Sequence, residues 1–192
     1  MNPEKTQVII FTNKIKLPPP LTTQRVNIPY SRTVKYLGVH FDKKLTWNEH
    51  IGQISKKFRN ANGALGKLLQ NQNVNHRNKA LIYKALLRPL LLYACPVWAF
   101  ASNTSLKKLE TLQNKTIRGI RRAPRYLRNS VIRRDLKIEP LLLFIKKLAT
   151  NLYTRLHLTV NTHIQHLPNY DPADCRNRKR PRFALLIDRL LL

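Results

Sequence analysis

Acidic residues are the scarcest functional class in this chain. Only 9 Asp and Glu stand against 36 Lys and Arg, a formal net charge of +27 over 192 residues. Chemistry that uses two metal ions needs carboxylates a few ångströms apart, and these acids do not supply them. Asp171 and Asp174 sit in a Pro-containing loop, Asp135 and Glu139 straddle a helix junction before Pro140, and the others are isolated. Each reads as a cap, turn or surface residue. With 5 Gly there is no glycine-rich phosphate loop, and no acid–base set accompanies a Ser or Cys nucleophile. Taken alone, the chain shows no active site and no metal site.

Cysteine is nearly as scarce. Cys95 lies in an apolar run and reads as a small core residue, whereas Cys175 opens a basic tail. Neither has zinc-ligand spacing, and His163 and His166 lack thiolates close in sequence. A disulfide framework is excluded, so a reducing compartment is expected, nuclear and cytoplasmic rather than secreted. The first residues do not read as a signal peptide, because the run after Lys5 is too short. Long hydrophobic runs are missing too. Pro89 to Ala101 is apolar but far shorter than the roughly 20 residues a bilayer crossing needs, so no membrane partner is expected.

What is present is cationic and mainly helical. The charge imbalance exceeds what solubility needs and attracts polyanions, of which nucleic acid is the commonest. It argues against a small-molecule ligand. Hydrophobic residues at 43% support a folded body, and 192 residues suit one full domain, or one and a small part of a second, with a sizeable core. Val8–Phe11 is a β-branched run that predicts a strand, and residues 13–24 form a Pro-rich connector. Val26 to Ile28 and Thr33 to Phe41 predict a β-hairpin turning at Pro29–Arg32. The period then becomes helical. Trp47, Ile51, Ile54, Phe58, Ala61, Leu65 and Leu68 fall on one stripe, and Thr46 with Glu49 makes a capping-box pattern.

A second helix is expected over about 75–93, its inner face carrying Ala80, Leu81, Tyr83, Leu87, Leu90 and Leu91, kinked at Pro89. A third begins near Ser102 with Leu106, Leu109, Gln113, Thr116, Ile117 and Ile120 on one side. Two further helices follow at about 129–136 and 139–158. Tyr83, Tyr93 and Trp98 read as core or turn anchors.

Several stretches in this order resemble the reverse transcriptases of jockey-like non-LTR retrotransposons. Asn2-Pro3-Glu4-Lys5-Thr6 before a strand resembles the palm motif that places a lysine near the incoming nucleotide's phosphates. Tyr36-Leu37-Gly38 resembles the primer-grip hairpin, and Lys43–Ile51 looks like the start of the thumb. Leu86–Trp98 resembles the proline-containing thumb helix, Leu109–Arg118 the basic helix after it, and Arg133–Pro140 the next segment. The likeness covers Asn2 to about Leu158 and is weak beyond.

The resemblance implies an α+β, mainly α fold. A small antiparallel β remnant, a strand plus a hairpin, is followed by a helical thumb-like bundle. It implies a palm edge over 1–46, a thumb and connection over 47–160, and a basic Pro-containing tail over 161–192. Lys5 would act as a general acid toward the pyrophosphate leaving group in the intact parent. Magnesium would belong to that parent, held by paired aspartates this chain does not carry, and this chain would have no cofactor. The partner would be a template–primer duplex or RNA–DNA hybrid. Tyr36, Leu37 and Gly38 would hold the primer, while Lys108, Lys115, Arg118, Arg121, Arg122 and Arg125 would track phosphates, with Arg128, Lys56, Lys57, Arg59 and Lys67 in support. Two rival readings are a non-enzymatic basic RNA-binding protein and a helical protein-interaction domain.

Overall fold

The computed structural model describes residues 6–12, 18–23 and 26–156. Lys5, His163, His166, Asp171, Asp174, Cys175 and the run from Arg176 to Arg182 lie outside them. The described residues are mainly helical, with two antiparallel strand pairs ahead of the helices. Contacts divide the chain into two units, Met1–Ile54 and Ser55–Leu192.

In the first unit, β1 (Leu21–Thr23) pairs with β2 (Val26–Ile28), Leu21 opposite Ile28. β3 (Thr33–Tyr36) pairs with β4 (Val39–Asp42), Thr33 opposite Asp42 and Tyr36 opposite Val39. The hairpin therefore turns at Leu37–Gly38 rather than at Pro29–Arg32, and Val26–Ile28 joins the other pair. Both turn residues take positive φ, 46° at Leu37 and 79° at Gly38. A two-residue loop of that handedness matches the twist of the flanking strands, which outweighs the turn chemistry around Pro29. The expected strand at Val8–Phe11 is reduced to one parallel bridge from Val8 to Tyr30, with Ser31 N–H donating to the Val8 carbonyl at 2.7 Å. A β-branched run favours extended backbone, but it cannot supply a partner strand.

Asp42 makes the junction from hairpin to helix. Its carboxylate accepts from Thr46 N–H at 2.9 Å, Thr46 Oγ1–H at 2.9 Å and Trp47 N–H at 2.8 Å. Thr46 and Glu49 thus form no capping box; Glu49 accepts from the Gln53 side-chain amide instead. The Asp42 bonds hold Trp47 at a φ of 65°, a left-handed conformation that costs an L-residue roughly 1 kcal/mol. The Trp47 ring sits edge-on to Phe41 at 5.3 Å. From there α1 (Asn48–Ala64) buries Ile51, Ile54 and Phe58 as the periodicity requires. After Leu65 the chain continues as α2 (Gly66–Gln70), and Leu69, eleven residues beyond Phe58, falls on the same helical face. Leu69 is therefore buried, while Leu68 faces solvent.

In the second unit, the single kinked helix expected over 75–93 is three pieces. These are α3 (His76–Ile82), a π-helical turn (Tyr83–Leu87) and α4 (Arg88–Leu92). Arg88 N–H reaches back five residues to the Tyr83 carbonyl. Pro89 has no N–H to give, and a widened turn is one way for a helix to pass such a gap. Ala80, Tyr83, Leu87 and Leu91 form the buried stripe, which leaves Leu81 exposed, contrary to the pattern expected for it. α5 (Cys95–Trp98) follows Ala94, a left-handed residue at φ 51°. Trp98 donates from Nε1 to the Tyr93 carbonyl at 2.8 Å and is fully buried, whereas Tyr93 is half exposed.

α6 (Asn103–Arg121) starts at Ser102, whose Oγ accepts from Ser105 N–H. Every residue of its predicted inner face, from Leu106 to Ile120, is buried. α2, α3, α7 (Asn129–Asp135) and α8 (Leu141–Leu156) all pack against it, and α5 packs against α8. Buried polar groups register these pieces. Tyr83 O–H donates to Gln113 Oε1 at 2.8 Å, and Gln113 Nε2 donates to the Glu139 carbonyl at 2.9 Å. Burial pushes the Tyr83 hydroxyl well above its ordinary value, so it stays a donor. No helix among the described residues is long and apolar enough to cross a membrane.

Two outcomes follow from these contacts. Tyr83→Phe leaves Gln113 Oε1 buried without its donor, and should lower unfolding stability by about 1–3 kcal/mol in denaturant titration. An unchanged midpoint would refute the role of this bond. At Asp42, burial raises the carboxyl pKa but the Thr46 and Trp47 bonds outweigh it, leaving the value below the ordinary 3.8. Its contribution is therefore complete above the unfolded pKa and fades as pH falls through the lower folded one. Asp42→Ala should cost about 1 kcal/mol at neutral pH, and the gap to the parent chain should close in strong acid. A gap that is constant with pH would count against the carboxylate.

Candidate nucleic-acid interface

The β3–β4 hairpin presents its turn outward. Tyr36 is 65% exposed and Leu37 74% exposed, so two large apolar side chains stand at the tip. Leu37 also occupies left-handed backbone there. Gly38 adopts that conformation without penalty, and Leu37 is held in it by the tight turn. The tip is thus an exposed apolar point carried on left-handed backbone.

The second unit carries the cationic surface. Asn103–Arg128 holds eight Lys and Arg and one acid, Glu110. That acid is itself paired with Arg133 at 3.2 Å. Of the cations expected to track phosphates, Lys108, Lys115, Arg121, Arg122 and Arg125 are exposed, as is Arg128. Arg122 adopts left-handed backbone at the end of α6, and its Nη2 donates to the Gln70 carbonyl at 2.6 Å. Lys56, Lys57, Arg59 and Lys67 are exposed as well, Arg59 donating from Nε to the Ser55 carbonyl.

Arg118 has a different position. It is half-buried, and its guanidinium donates to the Leu127 carbonyl at 2.7 Å, Asn129 Oδ1 at 3.0 Å and the Pro124 carbonyl at 2.6 Å. The planar fork of Arg suits this multiple capture. The loop from 122 to 128 is thereby folded back on α6, with Arg125 and Arg128 carried on its outside. Between them Tyr126 is 87% exposed, an aromatic surface among cations that spacing alone did not single out. Its signal was present as an aromatic flanked by Arg125 and Arg128, outside any helical stripe.

The described acids do not fit a magnesium site. No group of three or more His, Cys, Asp or Glu lies close enough to hold a metal among the described residues. Asp42 caps a helix, Glu110 pairs with Arg133, and Asp135 ends α7 with Arg134 at 4.0 Å. Cys95 is free and buried, and burial pushes its thiol up to about 11, so it remains protonated.

An apolar-tipped hairpin and a cation-bearing helical bundle thus lie in one chain, and comparison with known sequences shows that the chain is similar to RNA-directed DNA polymerases of mobile elements. The "Probable RNA-directed DNA polymerase from transposon X-element" of Drosophila melanogaster is 31% identical over 183 residues, covering 95% of this chain and 20% of that protein. The RNA-directed DNA polymerase from mobile element jockey of Drosophila melanogaster is 33% identical over 188 residues, covering 95% and 20%. Its Drosophila funebris counterpart is 32% identical over 199 residues, covering 100% and 22%. No protein-family profile matches the chain, and no solved structure matches it. The chain belongs to the jockey-like non-LTR retrotransposon reverse transcriptases. It spans about a fifth of the length of the curated relatives it matches.

Replacing Arg118 by Ala should release the 122–128 loop. Faster amide hydrogen exchange is expected there, with a stability loss on the order of 1–2 kcal/mol. Arg118→Lys should rescue little, because an ammonium cannot reach three acceptors in one plane. Full rescue by Lys would show that only the charge matters.

Proposed function

We propose that this chain is the primer-holding and duplex-gripping portion of a non-LTR retrotransposon reverse transcriptase. The observation that carries the reading is the charge of the α6 region, where eight cations face one acid that is already neutralised by Arg133. Cations on an exposed helix and its following loop suit the sugar–phosphate backbone, which positions a duplex without reading its sequence. Lys108, Lys115, Arg121, Arg122 and Arg125 make the phosphate contacts, and Arg118 acts by shaping the loop that carries Arg125. Tyr36, Leu37 and Gly38 press the strained hairpin tip against the primer end. Rigidity has a purpose there, since a displacement of about 1 Å can cost about a hundredfold in rate.

On this reading the duplex is an RNA–DNA hybrid. Lys5 delivers a proton to the departing pyrophosphate in the intact polymerase. Magnesium is held by carboxylates of that larger protein, and this chain alone binds nucleic acid without extending a primer.

The test is hybrid binding as a function of salt. Each neutralised phosphate contributes about 0.7–0.9 to the logarithmic slope, so five contacts give a slope near −4. Lys108→Gln and Lys115→Gln should each weaken binding and flatten the slope by about 1. A shallow slope that the substitutions leave unchanged would overturn the proposal, and so would metal-dependent primer extension by this chain alone overturn its inactive half. Tight binding to one folded RNA with hybrids ignored would favour the RNA-binding rival.

A further inference from the structure

One cavity of the second unit is lined by four cations, of which only Arg121 belongs to the α6 track. It has a volume of about 670 Å³ and is walled by the first turns of the α3–π segment, the end of α6 and the α7–α8 junction. Arg77, Lys84, Arg121 and Lys137 line it, against a single acid, Asp135. Asp135 makes its ion pair with Arg134, which is not a lining residue. Among the described residues, none of the four cations has an ion pair or a side-chain hydrogen bond. Like charges gathered in a concavity repel one another and focus their field into it, so the cavity is set up for an anion.

The rest of the wall narrows the class of anion. Ala80, Leu81 and Leu136 supply apolar surface, and Leu81 is 65% exposed. Asn75 and Asn78 bring amides that can donate or accept. His76 lies 3.0 Å from the Ile120 carbonyl through Nδ1. A carbonyl only accepts, so Nδ1 carries the hydrogen and Nε2 is left for another partner. Cations, amides and an apolar floor in a volume within the usual range for ligand sites match a phosphate attached to a sugar and a flat base. A double helix is too broad to enter such a cavity, whereas one unpaired nucleotide is not.

We infer that this cavity is a nucleoside-phosphate site, occupied by one unpaired nucleotide of a strand running off the duplex. Arg77 and Lys84, seven residues apart and so on one helical face, hold the phosphate. Leu81 between them offers the apolar surface for the base. The choice of a strand as the source rests on the proposed duplex grip. The chemistry of the site does not, since a free nucleotide would satisfy the same groups.

The experiment uses the full chain and the double variant Arg77→Gln/Lys84→Gln, neither residue belonging to the α6 track. Fluorescence anisotropy compares a blunt hybrid with the same hybrid carrying a single-stranded overhang, and adenosine monophosphate alone is titrated by NMR. The parent chain should prefer the overhang by about tenfold, the scale of one charge-assisted contact. The double variant should lose that preference with little change on the blunt hybrid. Equal losses on both hybrids, or a preference that survives, would overturn the site. If the overhang gives no preference but adenosine monophosphate shifts resonances of the cavity, and the double variant abolishes the shift, the site stands with a free nucleotide as its occupant. If neither hybrid binds, the duplex grip fails and the cavity is judged by adenosine monophosphate alone, no shift refuting it. The single variant Arg77→Glu, at an exposed position, serves if the double variant melts early.

Discussion

The buried relay from Tyr83 through Gln113 to the Glu139 carbonyl is the constraint on which the helical unit depends. It joins the π-helical turn, the middle of α6 and the junction before α8. Hydrophobic packing alone would let these pieces slide, because apolar contact is not directional. A buried hydroxyl and amide left without partners would each cost about 1–3 kcal/mol, so only one register satisfies them. The cationic cavity lies beside other parts of these helices, at α3 and Lys84, at Arg121 near the end of α6, and at Asp135–Lys137.

The basic residues of this chain divide into two kinds of work. Arg118 and Arg133 spend hydrogen bonds on the protein itself, on the loop after α6 and on Glu110, while Arg122 does both, bonding the Gln70 carbonyl of α2 and staying exposed. Lys108, Lys115, Arg121 and Arg125 remain exposed. With so few acids, the chain stabilises its loops by pairing cations with backbone carbonyls rather than with carboxylates. That choice keeps the surface around α6 strongly cationic. It also makes some arginines in the resembling motifs structural, although their charge still adds to the field.

Legibility differed by the kind of signal. The inner face of α6 was readable residue by residue, because a long amphipathic helix against one core repeats its period without interruption. The helices found at 129–135 and 141–156 were also expected, at about 129–136 and 139–158. The hairpin was found but misplaced, since Pro29–Arg32 offers stronger turn chemistry on paper than Leu37–Gly38. Thr46 and Glu49 looked like a cap, yet Asp42 reached the same amides from the preceding strand. Lys79 is buried at 1% exposure, which its charge gives no reason to expect. The cavity was invisible because Arg77, Arg121 and Lys137 lie on different helical segments, with no sequence pattern linking them.

By itself, the amino-acid order determined the cationic character, the mainly helical body after a small β portion, and kinship with jockey-like reverse transcriptases. These rest on composition, period and ordered short stretches, all of which are properties of neighbours in the chain. Tertiary structure alone decided which arginines serve the fold, where the hairpin turns, and which cations share one concavity. Those outcomes depend on groups distant in sequence meeting in space, where hydrogen-bond geometry and burial select among pairings that local pattern leaves equal.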